Sequence, residues 1–592
     1  MSRPSAEPTS TSTHQATDSL RAFAETADAV AATTKKLEKT RILAAYLASL
    51  SRAALPRAAV YLTGRPFPES AQRVLGLGWA NLADSVVRLT GADRLDLARH
   101  YDRSSDLGRA IADLLAEAQA DGHWRPLEPT PTLTEAADTF AAVSEASGPL
   151  AKAERFTRLL ERCDPPTAKY LVKIVSGELR IGLREGLLEE AVARAFVRPL
   201  ADVQWAGMLT GDAGRTAELA RDDRLSDAEM ALFHPLRFML ASPAEDAAEI
   251  IGRLGSPVWV EDKYDGIRAQ LHKLGRDVRL YSRDLHDVSG QFPEVVEAAA
   301  DLPWDGILDG EILAFKDEHV LPFLQLQTRL GRKAPSAAVR EAVPVIHVAF
   351  DLLAVGSAVG GGAAADGSFE PLLRSQLRER RRRLEGLLLP PPRFALSHLV
   401  SVPDAPALDA AFDEARGRGN EGLMVKDPDS IYSVGRRGFG WLKMKRALAT
   451  IDAVVVGVEV GHGKRHGVLS DYTFAVRDTE HDGLVTIGKA YSGLTDAEIA
   501  EMTRWFEEHT LERHGRYRVV EPSIVVEVAF DVIMRSTRHR SGFALRFPRI
   551  VRLRPDKSAD EIDTLAGVRA LYEGLQHAPA QLVTMGARVT GA

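Results

Sequence analysis

The sequence predicts a multidomain protein of three classes in chain order: all-α, then α/β, then a small β-barrel. Three observations carry this. Apolar residues recur at helical spacing up to about residue 235, short Val-rich runs bounded by Gly and Asp follow, and period-two alternation takes over after Lys445. At 592 residues the chain exceeds one domain of about 100–200 residues, so each segment can bury a core of its own. A hydrophobic share of 45% and a charged share of 27% exclude disorder-dominated and fibrous classes.

Residues 1–19 are rich in Ser and Thr without the apolar run of a signal peptide, and read as a disordered tail. No window approaches the roughly 20 apolar residues of a membrane span. In the helical segment, 20–235, Leu43, Leu47 and Leu50 share a helix face. Thr132-Leu133-Thr134-Glu135 is a capping box opening a helix that should stop at Gly148-Pro149. Cys163 is the single cysteine, so neither an intrachain disulfide nor a cysteine zinc cluster can form, and a reducing cytoplasm is the expected location.

In the α/β segment, 236–447, the runs at Val258, Val278, Gly306 and Val345 read as strands. The Gly/Ala-rich stretch 356–367 reads as a surface loop. The helix after it carries Arg378, Arg380, Arg381, Arg382 and Arg383, read as a solvated face in preference to a DNA contact. The last segment, 448–592, should hold a β-barrel. The net charge of -7 hides a basic stretch from Arg535 to Lys557, with eight Lys/Arg against one acid, suited to a polyanion.

Chemistry concentrates in Lys263-Tyr264-Asp265-Gly266-Ile267-Arg268, where a lysine ends an apolar strand with a carboxylate and a guanidinium in reach. An amine attacks only when neutral, and a free lysine with pKa about 10.4 is protonated at pH 7. Convergence of Arg268, Lys443 and Lys445 on Lys263 would favour the neutral form. Taken alone, the string fits a surface lysine in a hairpin as well as a nucleophile. Its downstream company decides. Tyr281-Ser282-Arg283 could place a guanidinium beside phosphate, and Leu308-Asp309-Gly310-Glu311 ends a strand on a carboxylate suited to a ribose hydroxyl or a hydrated magnesium ion. Phe350, at the end of another apolar run, could stack on a base or simply be core. Glu421 and Lys426 bracket a buried strand, and Lys443 and Lys445 lie on one face of another.

These strings, in this order, resemble the covalent nucleotidyltransferases, and most closely the ATP-dependent DNA ligases of the replicative archaeal and eukaryotic type. Ser176-Gly177-Glu178-Leu179-Arg180-Ile181-Gly182-Leu183 resembles a signature of their helical DNA-binding domain, and Phe238-Met239-Leu240-Ala241 the entry to their adenylation domain. The string from Ala544 to Lys557 resembles their last motif, at the end of an OB-fold domain. The resemblance implies that Lys263 attacks the α-phosphorus of MgATP to form lysyl-AMP, that AMP passes to the 5′-phosphate of a nick in duplex DNA, and that the 3′-hydroxyl displaces it. It implies that Glu261 helps read adenine, Phe350 stacks on it, and Glu311 and Arg268 contact the ribose and nick. Arg283, Lys426, Arg437, Lys443 and Lys445 would hold phosphates, Arg546, Arg549 and Lys557 would orient pyrophosphate, and Glu311 and Glu421 would serve magnesium. A hinge is expected between Lys445 and Asp452, in a protein acting as a monomer. An NAD-dependent ligase would carry a four-cysteine zinc finger, which one cysteine excludes. An RNA ligase, a capping-type nucleotidyltransferase and a non-catalytic DNA-binding scaffold stay open as alternatives.

Overall fold

The computed structural model describes residues 16–317, 319–321, 323–330, 332, 334–356, 369–418, 420–433, 437–445, 449–461, 465, 467–576 and 583–585, without the side chains of 324, 437–439, 449, 574–576 and 584. The expected Gly/Ala loop thus lies outside the described residues from 357 on, as do residues 446–448 of the hinge expected between Lys445 and Asp452. The chain divides into two compact units, one ending at Arg237 and one beginning at Phe238.

The first unit is helical from Leu20 to Arg221. Its helices start where short polar side chains take up free backbone N–H groups: Asp93 and Thr132 form capping boxes, and Asp106, Asp164 and Asp212 cap three more. The Thr132 helix runs Leu133–Glu145, and Pro149 opens the next one instead of merely ending this one. Phe23, Tyr61 and Phe140 meet edge to face at 6.2 and 5.6 Å in its core. Leu43, Leu47 and Leu50 are buried as their spacing requires. Residues 16–19 of the expected tail belong to the helical unit: Ser19 Oγ accepts from the Ala22 N–H and the Asp18 carbonyl from the Leu133 N–H. Cys163 is fully buried, and burial pushes its thiol pKa up.

The second unit contains β1 (Leu240–Ala244), β2 (Val258–Asp262), β3 (Ile267–Leu274), β4 (Asp277–Ser282), β5 (Gly306–Lys316), β6 (His319–Val320), β7 (Val345–Gly356), β8 (Phe369–Pro371), β9 (Phe394–Ser397), β10 (Leu399–Val402), β11 (Gly422–Lys426) and β12 (Arg437–Lys445). They form two sheets. One has the order β1-β12-β11-β2-β10, and the other contains β9-β7-β5-β3-β4 with β6 and β8 at its margins. Each packs an apolar face, around Val260, Val425 and Leu442 in the first and Leu271, Leu308 and Leu352 in the second.

The C-terminal part comprises β13 (Ala449–Val460), β14 (Leu469–Asp478), β15 (Gly483–Ala490), β16 (Thr510–His514), β17 (Tyr517–Val520), β18 (Val525–Phe530), β19 (Val532–Arg535), β20 (Phe543–Arg546), β21 (Arg549–Leu553) and the short β22 (Val583–Thr584). The long β13 pairs with β14, β17 and β18 along its length, curling the sheet around a core that includes Val455, Phe474 and Phe506. A separate hairpin, β19–β20, carries Arg546.

Two expectations need correction. The arginine helix, Leu377–Glu385, is a solvated face only in part: Arg378 and Arg382 are exposed, but Arg380 is fully buried in a two-pronged pair with Asp351, and Arg381 is buried against Ser397. Its other arginines meet Asp429, Glu379 and Glu370, so the charge is spent within the fold. Glu311 and Phe350 also lie inside strands and not at their ends, since β5 continues to Lys316 and β7 to Gly356.

Candidate active site at the seam of two sheets

Lys263 is not in a hairpin. It follows β2 in one sheet and precedes β3 in the other, so the chain crosses between sheets at Lys263–Gly266. The Lys263 N–H donates to the Gly422 carbonyl at 3.0 Å, pinning the crossing to β11. Gly266 is required by close approach: a Cβ there would stand 2.5 Å from the Ile312 carbonyl oxygen of β5.

Lys263 Nζ donates to Glu421 Oε2 at 2.6 Å, and Lys445 Nζ lies 2.5 Å from the same oxygen. Burial alone would raise the Glu421 pKa, but the two ammonium groups pull it down to about 2. Lys445 therefore converges on Lys263 as expected, though through a shared carboxylate. Arg268 does not converge. It stands opposite Glu311 in the β3–β5 register, yet it reaches diagonally to Asp309 with bonds of 2.7 and 3.2 Å, and gives Nη1 to the Met239 carbonyl at 2.7 Å. Phe238, Phe350 and Trp441 surround its guanidinium. Burial disfavours this cation, but Asp309 overcompensates and its pKa rises. Tyr432 completes the knot, donating to Asp309 at 2.7 Å and accepting from the Met239 N–H.

The Glu311 side chain makes no hydrogen bond or ion pair among the described residues, and burial pushes its pKa up to about 8, with Asp309 and Asp265 adding to the effect against Lys263 and Arg268. Below the seam, Lys426 Nζ meets Glu261 Oε2 at 2.5 Å, with the Phe350 ring at 4.7 Å and the Trp441 ring at 4.3 Å. The other Glu261 oxygen accepts from Ser397 Oγ at 3.0 Å, with Arg381 at 3.7 Å.

From the barrel side, Arg546 Nη1 reaches both Asp265 oxygens at 3.2 Å and stacks on Phe323. Arg549 lies 3.4 Å from Asp531, and Lys557 is 2.6 Å from Asp452, which also takes Arg554. Lys557 is thus held within its own domain. Lys443 is half-buried on β12 opposite Met424. Arg283 is exposed just past β4, and the Arg437 side chain lies outside the described residues. Asp265 and Asp309 stood inside the quoted strings without being singled out. Tyr432, Ser397 and Asp531 had no local signal at all, and Arg381 stood only in the basic helix that was read as solvated.

Three family models match the chain: "DNA ligase N terminus" over 19–228, "ATP dependent DNA ligase domain" over 238–445 and "ATP dependent DNA ligase C terminal region" over 465–557. The chain belongs to the ATP-dependent DNA ligase family. It is 47% identical to a "Probable DNA ligase" of Koribacter versatilis, covering 96% of this chain and 99% of that protein. Against a "Probable DNA ligase" of Opitutus terrae it is 44% identical over 94% of this chain, but spans only 62% of that longer protein. "DNA ligase 1" of Korarchaeum cryptofilum is 36% identical, covering 94% and 98%. A solved structure, "Pmar-Lig_Pre.", shares the fold with a TM-score of 0.57 at 15% identity, covering 90% of this chain and 99% of its own.

Proposed function

We propose that this chain seals nicks in duplex DNA with ATP, through AMP carried on Lys263. The observation that carries the reading is the joining of Lys263, Glu421, Lys445, Asp265 and Arg546 where the barrel folds over the seam. The three parts divide the work as a DNA-binding domain over 20–235, an adenylation domain over 236–447 and an OB domain over 448–592.

In the first step Lys263 Nζ, after giving up its ammonium proton to solvent, forms a P–N bond to the α-phosphorus while the P–O bond to pyrophosphate breaks and a second amine proton passes to solvent. Glu421 holds and orients that amine beforehand. Lys443, Lys445, Arg546 and Arg549 offset the charge of the departing pyrophosphate, since phosphoryl transfer depends mostly on positioning and charge stabilisation. Glu261 and Phe350 form the wall of the adenine site, with Lys426 fixing both. The 5′-phosphate of the nick then takes AMP from Lys263, and the 3′-hydroxyl displaces it.

No group of three or more acidic, His or Cys residues suited to a metal exists among the described residues, so a dedicated cage is not built. The donors do fit magnesium carried on a triphosphate, which needs one or two carboxylates: Glu311, without a bonded partner, and Glu421 would hold it, and it would supply charge neutralisation. A monomer in a reducing cytoplasm accords with the single buried cysteine. Among the described residues no helix is long and apolar enough to cross a membrane.

Incubation with α-labelled ATP and magnesium should label the chain, and Lys263→Ala should abolish the label. Parallel reactions with GTP and NAD should stay blank, and nicked duplex should be sealed only with ATP. Full labelling of Lys263→Ala would refute the assignment of the nucleophile.

A further inference from the structure

Asp531 connects β18 to β19 and lies outside every string that points to the chemistry. Its side chain is 16% exposed. Its backbone N–H donates to the Arg546 carbonyl at 3.2 Å, which fixes it beside the arginine that crosses to Asp265. One carboxylate oxygen lies 3.5 Å from Lys445 Nζ, and the other 3.4 Å from Arg549 Nη1. Lys445 in turn shares Glu421 with Lys263.

The barrel therefore meets the site through two ion pairs of opposite sense. In one, Asp265 receives a cation from the barrel; in the other, Lys445 receives a carboxylate from it. We propose that Asp531 is a positioning residue for the adenylylation step, seating Lys445 and Arg549 over the nucleotide while the barrel is folded against the seam. The inference rests on Lys263 being the adenylylated group.

The geometry suits a temporary hold. Charge-assisted N–H···O bonds are usually about 2.7–2.9 Å, so contacts of 3.4 and 3.5 Å orient both cations and leave their hydrogen-bonding capacity open to phosphate oxygens while Asp531 stays beside them. Arg416, half-buried on the helix Ala405–Gly417, is disfavoured as a cation chiefly by burial, and the charges of Asp531 and Glu421 oppose that. An asparagine at 531 would keep the backbone bond to Arg546 and the side-chain shape, and would remove only the charge.

The test uses the full chain with Asp531→Asn and Asp531→Glu. Two reactions are followed: self-adenylylation with α-labelled ATP, with KM and kcat separated, and sealing of a nick already carrying 5′-AMP, which bypasses the first step. Asp531→Asn should raise the apparent KM for ATP about five-fold, the scale of one partly exposed ion pair, while sealing of the adenylylated nick stays within about two-fold. Asp531→Glu should return KM to within about two-fold of the unsubstituted protein. An unchanged KM in Asp531→Asn, or an equal loss in both reactions, would overturn the proposal. Absence of label on Lys263 in the unsubstituted chain would instead defeat the nucleophile assignment beneath it.

Discussion

Lys426→Met should destabilise the second unit by about 3 kcal/mol, and Glu261→Gln in the same chain should recover much of that loss. Lys426 and Glu261 are 1% and 4% exposed and meet at 2.5 Å. Removing one partner of such a pair costs about 3–5 kcal/mol because the other charge is left buried, whereas removing both is often close to neutral. Methionine keeps the length and apolar stem of lysine, so little of the loss comes from packing. Glu261 would retain Ser397 Oγ at 3.0 Å and Arg381 at 3.7 Å, partners that place the cost near the lower end of the range. Glu261→Gln alone leaves the Lys426 ammonium against Phe350 and Trp441, whose faces each return about 0.5–1 kcal/mol. The double variant should therefore be less destabilised than the sum of the singles by about 2 kcal/mol. Urea unfolding of all four proteins, read at the transition of the second unit, measures this coupling. Additivity within about 0.5 kcal/mol would refute the view that this pair is a single buried electrostatic unit.

The stability of the nucleotide-free protein should fall as pH rises from about 4.5 to 8, because folded Glu311 keeps a proton that the unfolded chain releases in that window. At about 1.4 kcal/mol per tenfold change in proton affinity the upper bound is about 5 kcal/mol; Glu311→Gln should flatten the slope in a series of thermal melts, and an unchanged slope would exclude Glu311 as its source. Glu421 acts in the opposite sense, its contribution being complete above about 4.5 and lost as pH falls toward 2. Tyr432→Phe deprives Asp309 of a donor and the Met239 N–H of its acceptor, and should cost about 2 kcal/mol in chemical unfolding. Gly266→Ala drives a methyl against the Ile312 carbonyl and should slow self-adenylylation at least about ten-fold through displacement of Lys263, with ATP labelling as the readout.

The sequence made the crossing at Lys263 findable because the strings around it are local: the lysine, its aspartate and its glycine are adjacent, and Lys443 and Lys445 declare one strand face by their spacing. Arg546 could be named as part of the site for the same reason, though its partner Asp265 stands 281 positions away. Local pattern fails where the partner decides. Five arginines in one helix look solvated until Asp351 and Ser397 are brought beneath two of them. Strand ends failed for a related reason: β7 is buried on both sides, so its apolar run has no alternation to mark where Phe350 falls within it. Asp531 and Tyr432 act through residues distant in sequence, and no motif announces them.

Six of the cations named for the nucleotide and the nick fall into two groups by their present partners. Lys426 has a buried carboxylate and two ring faces, and Arg268 has two carboxylate oxygens, a carbonyl and three rings. Moving either onto a phosphate would leave Glu261 with only Arg381 at 3.7 Å, or Asp309 with no counter-charge among the described residues, and both acids are nearly or wholly inaccessible. Such cations shape the nucleotide site from behind and should stay in place throughout the reaction. Lys445, Arg546, Arg549 and Lys557 are 29%, 21%, 46% and 31% exposed, and the carboxylates they hold are not so deeply enclosed. For Arg546, a triphosphate would replace Asp265 by another anion near solvent, and that exchange is inexpensive. Asp531 would stay beside Lys445 and Arg549, and Lys557 with Asp452 inside the barrel.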